Sequence, residues 1–344
     1  MKNVSELRQD PVTGAWVVVA TGRAKRPNEF ARRRTRSQPQ PRLSCPFESL
    51  LPEVIVAYDR RGERYRITAK NRSEVGREWR VQVAANKYPA FRPSHVCPAP
   101  TTRGPYRWLE GVGFHEVVFT RHHVRSLAAM SAAEVAVVFA AYRDRYLALK
   151  DEECVAYVSI FHNHGREAGA TVSHPHSQII AVPVIPPDIG RSLSGSAAYF
   201  RAHRRCVHCD MIAFERRGGR RIVYENRHFT VFCPYVSRSA FEVRIFPKRH
   251  RPEFESSSDA ELAAAADALR ATLAKLGRGL ADPAYNFFIH TAPAADGLKA
   301  AYYHWHIEIL PKTAIWAGFE ISTGIEISTI APETAAGFLR KISV

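Results

Sequence analysis

The chain has 344 residues, enough to bury a large core and to divide into two domains of ordinary size. A hydrophobic fraction of 46% with 24% charged residues excludes a disordered or fibrous polymer, and no apolar run of about 18 residues marks a membrane span. The net charge of +16 points to anionic partners, and Met1-Lys2-Asn3-Val4 has no signal-peptide layout, so a cytoplasmic location is expected. The first predicted element is a strand over Trp16-Val17-Val18-Val19-Ala20. Beyond it Arg23 and Arg26 set two guanidiniums three positions apart, which suits bidentate capture of phosphate. Residues 31–42, with arginines beside Gln-Pro-Gln-Pro, read as a solvated basic loop. A strand over Trp79–Val83 leads to Asn86-Lys87-Tyr88-Pro89, and another over His115–Thr120 ends at Arg121-His122-His123.

Ser131 with Glu134 is a capping box and predicts a helix to about Lys150. A strand over 155–161 follows, then Asn163-His164-Gly165 and Ser173-His174-Pro175-His176-Ser177-Gln178. In an extended chain His174, His176 and Gln178 share one face. Pro175, with no N–H, places the pair at a strand start or edge. One imidazole can be fixed by a metal while the other is free as nucleophile or base, since much of a free imidazole is neutral at pH 7. Pro183–Ala198, rich in Pro, Gly and Ser, reads as a linker.

The pattern then repeats. Cys206-Val207-His208-Cys209 has the spacing of a zinc knuckle. Strands at 228–233 and 241–246 precede His250, a second capping box at Ser258 and Glu261 heads a helix to about Lys275, and a strand at 284–290 precedes His304-Trp305-His306. His123 to His250 and Ser131 to Ser258 are both 127 residues apart, and His174 to His304 and His176 to His306 both 130. Two units in constant order are an internal duplication, read as halves 1–190 and 200–344. Six cysteines without a secretory signal do not read as a disulfide framework. Cys97, Cys154 and Cys233, with no partners at metal spacing, read as buried small hydrophobes.

Asn163, Gly165 and Ser173 to Gln178 resemble the histidine-triad superfamily, in its galactose-1-phosphate uridylyltransferase branch with the similar ADP-glucose phosphorylases. Residues 23–27, 86–89, 304–305 and 318–321 are also similar to family stretches. The resemblance implies an α+β fold, a duplicated histidine-triad-like unit whose two antiparallel-sheet-plus-helix halves form one active site. It implies a nucleotidyltransferase that moves a nucleoside monophosphate from a nucleotide sugar to sugar 1-phosphate or phosphate through a covalent nucleotidyl-histidine. His176 would be the nucleophile and Gln178 an amide donor to a non-bridging oxygen. Arg23, Arg26, Asn163 and the loop from Gly165 to Thr171 would hold phosphate, Asn86 the nucleoside and Glu320 the sugar. It also implies a homodimer.

Overlaying the halves predicts two zinc sites, Cys206, Cys209, His250 and His304 in the second, and Cys45, Glu48, His123 and His174 in the first. Glu48 stands where the family has a second Cys, so occupancy of the first site stays open. In the second half Glu308 replaces Gln178, and a carboxylate repels phosphate, so that half reads as a scaffold copy. UDP-glucose:hexose-1-phosphate uridylyltransferase is the first reading. ADP-glucose phosphorylase is the alternative, whose branch Ser177 and the second Cys-x-x-Cys resemble, while Lys87, where uridylyltransferases are acidic, counts against uridine. Ala314, Ile315 and Glu326 also depart from the uridylyltransferase pattern. A histidine-triad nucleotide hydrolase and a non-catalytic zinc protein that binds nucleic acid are the rivals. Aromatics are not interleaved with the basic stretches, which counts against the last.

Overall fold

The computed structural model describes residues 5–23, 40–293 and 300–344. The first part of the chain supplies strands β1 (Glu6–Gln9), β2 (Trp16–Val19), β3 (Val54–Tyr58), β4 (Arg64–Tyr65), β5 (Val81–Ala85), β6 (Thr101–Arg103), β7 (Tyr106–Trp108), β8 (Phe114–Thr120), β9 (Tyr157–His164) and β10 (His176–Val182). Helices α1 (Arg72–Glu78) and α2 (Ala132–Lys150) lie among them, and α3 (Pro187–His203) and α4 (Val207–Gly218) follow. The second part supplies β11 (Ile222–Glu225), β12 (Phe229–Phe232), β13 (Val243–Pro247), α5 (Asp259–Leu280), β14 (Tyr285–His290), β15 (His306–Pro311), α6 (Gly318–Thr323), β16 (Glu326–Ser328) and α7 (Pro332–Arg340). Among the described residues no helix is long and apolar enough to cross a membrane.

Eleven strands form one sheet in the order β11-β12-β13-β15-β14-β9-β10-β8-β5-β3-β4. Read outward from its middle, β9-β10-β8-β5 in one direction and β14-β15-β13-β12 in the other repeat the same succession, which is the duplication in three dimensions. The two central strands are antiparallel partners, with Asn163 opposite Asn286 and Ile160 opposite Ile289. Both predicted capping boxes form: Ser131 N–H donates to Glu134 Oε2 at 2.8 Å and Ser258 N–H to Glu261 Oε2 at 2.8 Å. The helices they start, α2 and α5, pack on each other and on the same sheet face, so one apolar core runs across both halves, from Tyr142 and Phe139 to Phe254, Leu269 and Trp305.

Two expectations are corrected. Residues 183–198 are not a linker: most of them belong to α3, which has Pro187 in its first turn, where a missing N–H is harmless. Gly195 serves close packing, since a Cβ there would stand 1.7 Å from the Val12 carbonyl oxygen. Cys97 and Cys154 are not buried small hydrophobes. They form a disulfide that ties the β5–β6 connection to the turn before β9, while Cys233 is fully buried as expected. Fifty-seven residues separate the disulfide partners, so no local spacing announces the bond.

Candidate active site

β10 lies between β8 and β9, and its alternation sorts its side chains by face. Ile179 and Ala181 face the helices and join the main core. Ser177 faces the same way, where its hydroxyl is hydrogen-bonded to the Tyr142 hydroxyl and lies 2.9 Å from His162 Nδ1. This buried polar network beneath the strand was missed in the sequence because Tyr142 and His162 carry no motif of their own. His174, His176 and Gln178 face the other side, toward Phe47 and Phe119.

The three side chains then diverge. His174 is fully buried, with Nε2 2.7 Å from the Thr120 carbonyl oxygen, so Nε2–H donates and the Nδ1 lone pair faces Cys45 Sγ at 3.5 Å and Glu48 Oε1 at 3.4 Å. His176 opens β10. Its Nδ1–H donates to the His174 carbonyl oxygen at 2.9 Å, which leaves the lone pair on Nε2. Burial pushes its basicity below the ordinary imidazole value of 6.5, so the ring stays neutral at pH 7. The Phe47 ring, 5.3 Å from the imidazole between centroids, supplies part of that dry surrounding.

Gln178 Oε1 lies 2.7 Å from His115 Nε2. The Ala90 N–H donates to His115 Nδ1 at 3.1 Å, which puts the ring proton on Nε2 and fixes the amide oxygen as its acceptor. The amide nitrogen of Gln178 is then free to donate elsewhere. Asn86 lies beside the same ring, its Oδ1 accepting from the Tyr88 N–H at 2.9 Å, while its Nδ2, 3.0 Å from His115 Nε2, is a donor beside a donor and makes no hydrogen bond there. His115 was read only as a strand residue; its position two residues before the buried Val117 marks the face it shares with Gln178.

Asn163 is the next-to-last residue of β9, and the chain turns at Gly165 with φ +81°, where a Cβ would also lie 2.7 Å from that of Ala284. The 3-10 turn Arg166–Ala168 and exposed Thr171 follow. Arg23 ends a short 3-10 turn after β2, and Arg26 lies outside the described residues. Glu320 lies on α6, and its carboxylate accepts from the Ala317 N–H at 3.0 Å, the side chain's only hydrogen bond among the described residues. It meets none of the other candidate residues.

Both predicted metal sets converge. In each, one ligand atom per residue lies within 4.8 Å of the others. In the second set Cys209 Sγ is 3.3 Å from His250 Nδ1 and 3.5 Å from His304 Nδ1, while His304 Nε2 is 3.0 Å from the Pro247 carbonyl oxygen. In the first, His123 Nδ1 meets Glu48 Oε1 and its Nε2 lies 2.7 Å from the Gln40 carbonyl oxygen. A neutral imidazole that donates through Nε2 has only a lone pair on Nδ1. A lone pair aimed at a carboxylate or thiolate is repulsive unless a cation lies between, so both donor sets fit zinc.

The counterpart of His176, which is itself 9% exposed, is packed more tightly between rings. His306 is 4% exposed, stacked between Phe246 at 4.7 Å and His290 at 4.8 Å, with Nδ1 3.1 Å from the His304 carbonyl oxygen. Burial alone would push the Glu308 carboxyl up, but Arg238 and Arg244 beside it hold it well below the usual carboxylate range.

Residues 1–186 match the family model described as galactose-1-phosphate uridyl transferase, N-terminal domain, and residues 112–340 match a domain of unknown function, DUF4921. The chain is 31% identical to an ADP-glucose phosphorylase of Arabidopsis thaliana over 98% of its own length and 93% of the relative's. It is 29% identical to a galactose-1-phosphate uridylyltransferase of Thermotoga maritima, covering 98% and 99%. A crystal structure of an Arabidopsis thaliana ADP-glucose phosphorylase with bound ADP-glucose superposes with a TM-score of 0.76 at 27% identity, over 99% of this chain and all of that one. The duplicated sheet and the end-to-end similarity to enzymes of two nucleotidyl-transfer activities lead to one conclusion: the chain belongs to the galactose-1-phosphate uridylyltransferase family and is a nucleotidyltransferase.

Proposed function

We propose that this enzyme transfers a nucleoside monophosphate from a nucleotide sugar to a phosphate or sugar 1-phosphate acceptor, with His176 as the group that carries it. The observation behind the reading is the tautomer of His176: Nδ1–H engaged by the His174 carbonyl, with Nε2 carrying the lone pair and no hydrogen-bond partner among the described residues. In the first step the Nε2 lone pair attacks the α-phosphorus. A P–N bond forms, the P–O bond to the β-phosphate breaks, and sugar 1-phosphate leaves with that electron pair. The ring becomes cationic as the bond forms, and the carbonyl of His174 stabilises its Nδ1–H. In the second step an acceptor phosphate oxygen attacks phosphorus and the P–N electrons return to Nε2. Gln178 and Asn163 present amide N–H groups to the non-bridging oxygens; one such donor is worth about 2.7–4 kcal/mol in oxyanion sites. Arg23, Arg26 and the backbone from Gly165 to Thr171 are assigned to the remaining phosphate charge, Asn86 to the nucleoside and Glu320 to the sugar.

The donor is taken to be ADP-glucose, on the strength of Lys87 in place of an acidic residue and the full-length relative of that activity; UDP-glucose is the second reading, favoured by the Thermotoga relative. Incubation with each sugar nucleotide labelled at the α-phosphate, followed by denaturation, tests both. An acid-labile, alkali-stable label from ADP-glucose alone is expected. Label from UDP-glucose alone reverses the choice of base, and label from neither removes the mechanism.

Zinc is assigned to both four-residue sets. It would be held by Cys206, Cys209, His250 and His304, and by Cys45, Glu48, His123 and His174, as a structural ion that fixes the loop and strand ends. Through His174 the first set aims the carbonyl that holds His176.

Because the reactive ring is the neutral one and burial depresses its basicity, the rate of labelling should stay level as pH falls from 8 to 6.5 and decline only below that value. A midpoint at or above 6.5 in a pH profile of single-turnover labelling would contradict this assignment.

A homodimer is also part of the proposal. The segment that carries Glu320 exposes Ile315 by 94%, Trp316 by 49% and Ile321 by 72%, a run of large apolar side chains that a second copy of the chain would cover. Sedimentation equilibrium should give twice the chain mass; a monomer at micromolar concentration would exclude it.

A further inference from the structure

We propose that Asn286, contributed by the second half of the chain, is a positioning residue for phosphate binding in the first. The proposal rests on the reading of Asn163 as a phosphate ligand. The two asparagines stand directly opposite each other in the β9–β14 ladder, so their side chains leave the sheet on the same face. The Asn286 Nδ2 group donates twice, to the Ala168 carbonyl oxygen at 2.8 Å and to Asn163 Oδ1 at 2.8 Å.

A backbone carbonyl can only accept, so the first bond decides which end of the Asn286 amide faces the turn. That end is a donor, and it therefore decides the orientation of Asn163 as well. With its oxygen engaged, Asn163 has one polar end left, Nδ2, which has no hydrogen-bond partner among the described residues and lies against the loop, 3.8 Å from where a Cβ of Gly169 would be. A freely rotating Asn163 would offer a phosphate its carbonyl as readily as its N–H groups; this one offers only the donors. The bond to Ala168 also holds the turn Arg166–Ala168 against β14, so one side chain fixes both the amide and the loop beside it. The second half is thus more than a scaffold copy, because it completes the site of the first.

The test is the rate of enzyme labelling and of overall transfer with α-phosphate-labelled ADP-glucose and UDP-glucose, with melting temperatures measured alongside. The enzymes are wild type, Asn163→Ala, Asn286→Ala, Asn286→Asp and the double variant Asn163→Ala/Asn286→Ala. Loss of one donor to the phosphate predicts a fall of about 100-fold for Asn163→Ala, and roughly 10-fold for Asn286→Ala, where the amide is retained but unaligned. The double variant should be slower than Asn163→Ala alone by clearly less than the roughly 10-fold of the single Asn286→Ala change, because Asn286 acts mainly through Asn163 and only the remainder through the turn. Asn286→Asp keeps the shape but accepts where the amide donates, so it turns the Asn163 carbonyl outward and should be slower than Asn286→Ala.

Multiplying losses in the double variant, or an Asn286→Asp enzyme at least as fast as Asn286→Ala, would overturn the proposal; neither pattern is expected of a residue that only packs. If Asn286→Ala does not fold, Asn286→Ser is substituted in the same cycle. An Asn163→Ala enzyme of wild-type rate would overturn the reading of Asn163, and this proposal with it, a result distinct from the other two.

Discussion

His176→Ala is expected to fold and melt within a few degrees of wild type, to take up no acid-labile label from either sugar nucleotide, and to lose roughly 10⁴-fold or more of its transfer rate, as enzymes do when the attacking group is removed. The size follows from the absence of a substitute. His174 directs Nε2 at the Thr120 carbonyl and Nδ1 at Cys45 and Glu48, so neither nitrogen is available. His162 is buried on the helix side of the sheet against Ser177, and burial pushes its basicity well below the imidazole range. The variant keeps Gln178 and Asn163, so residual turnover would come from direct attack of the acceptor on a bound donor and would proceed in one displacement. Inversion at a chiral α-phosphorus by the variant, against net retention by wild type, would be the stereochemical mark of that change. Undiminished labelling of His176→Ala would transfer the covalent role to another side chain.

The second large effect concerns the ions. Wild type should contain zinc at the Cys206, Cys209, His250 and His304 set, and Cys206→Ser should contain one equivalent less by elemental analysis of dialysed protein. Removal leaves two imidazole nitrogens converging on a thiolate with nothing between them, and His304 is fully buried. Binding at a thousand times Kd stabilises by about 4.1 kcal/mol. At a few degrees per kcal/mol for a chain of this size, Tm should fall by roughly 5–10 °C. Chelation of the wild type should reproduce the drop. An unchanged zinc content in Cys206→Ser would refute the assignment. The first set has a carboxylate where the second has a thiolate, so its metal should leave at a lower chelator concentration, and Glu48→Cys should narrow or remove that difference.

Much of this was legible in the chain because it depends on local spacing. The two capping boxes give both long helices, and the constant offsets between histidines predict equivalent halves; that the halves join in one continuous sheet is seen only in the structure. The same offsets bring both four-residue metal sets together, although their members are up to 129 residues apart. What was not legible depends on tertiary context. The composition of 183–198 resembles a linker, yet its proline starts a helix and Gly195 admits the backbone of Val12. The Cys97–Cys154 bond joins two loops with no shared motif. His115, Ser177 and Asn286 orient neighbours rather than face a ligand, and such a role exists only once strands β8, β9 and β14 have been placed beside one another.

The seam between β9 and β14 has a further consequence. Antiparallel pairing about a local dyad is how two identical polypeptides would join edge to edge, with an encounter that dilution can undo. Here both edges belong to one covalent chain, so their meeting is intramolecular and its strength does not depend on how much protein is present. Fusion also removes the demand that the edges stay alike. That liberty is what allows the two halves to carry different partners beside their paired histidines, Gln178 after one and Glu308 after the other.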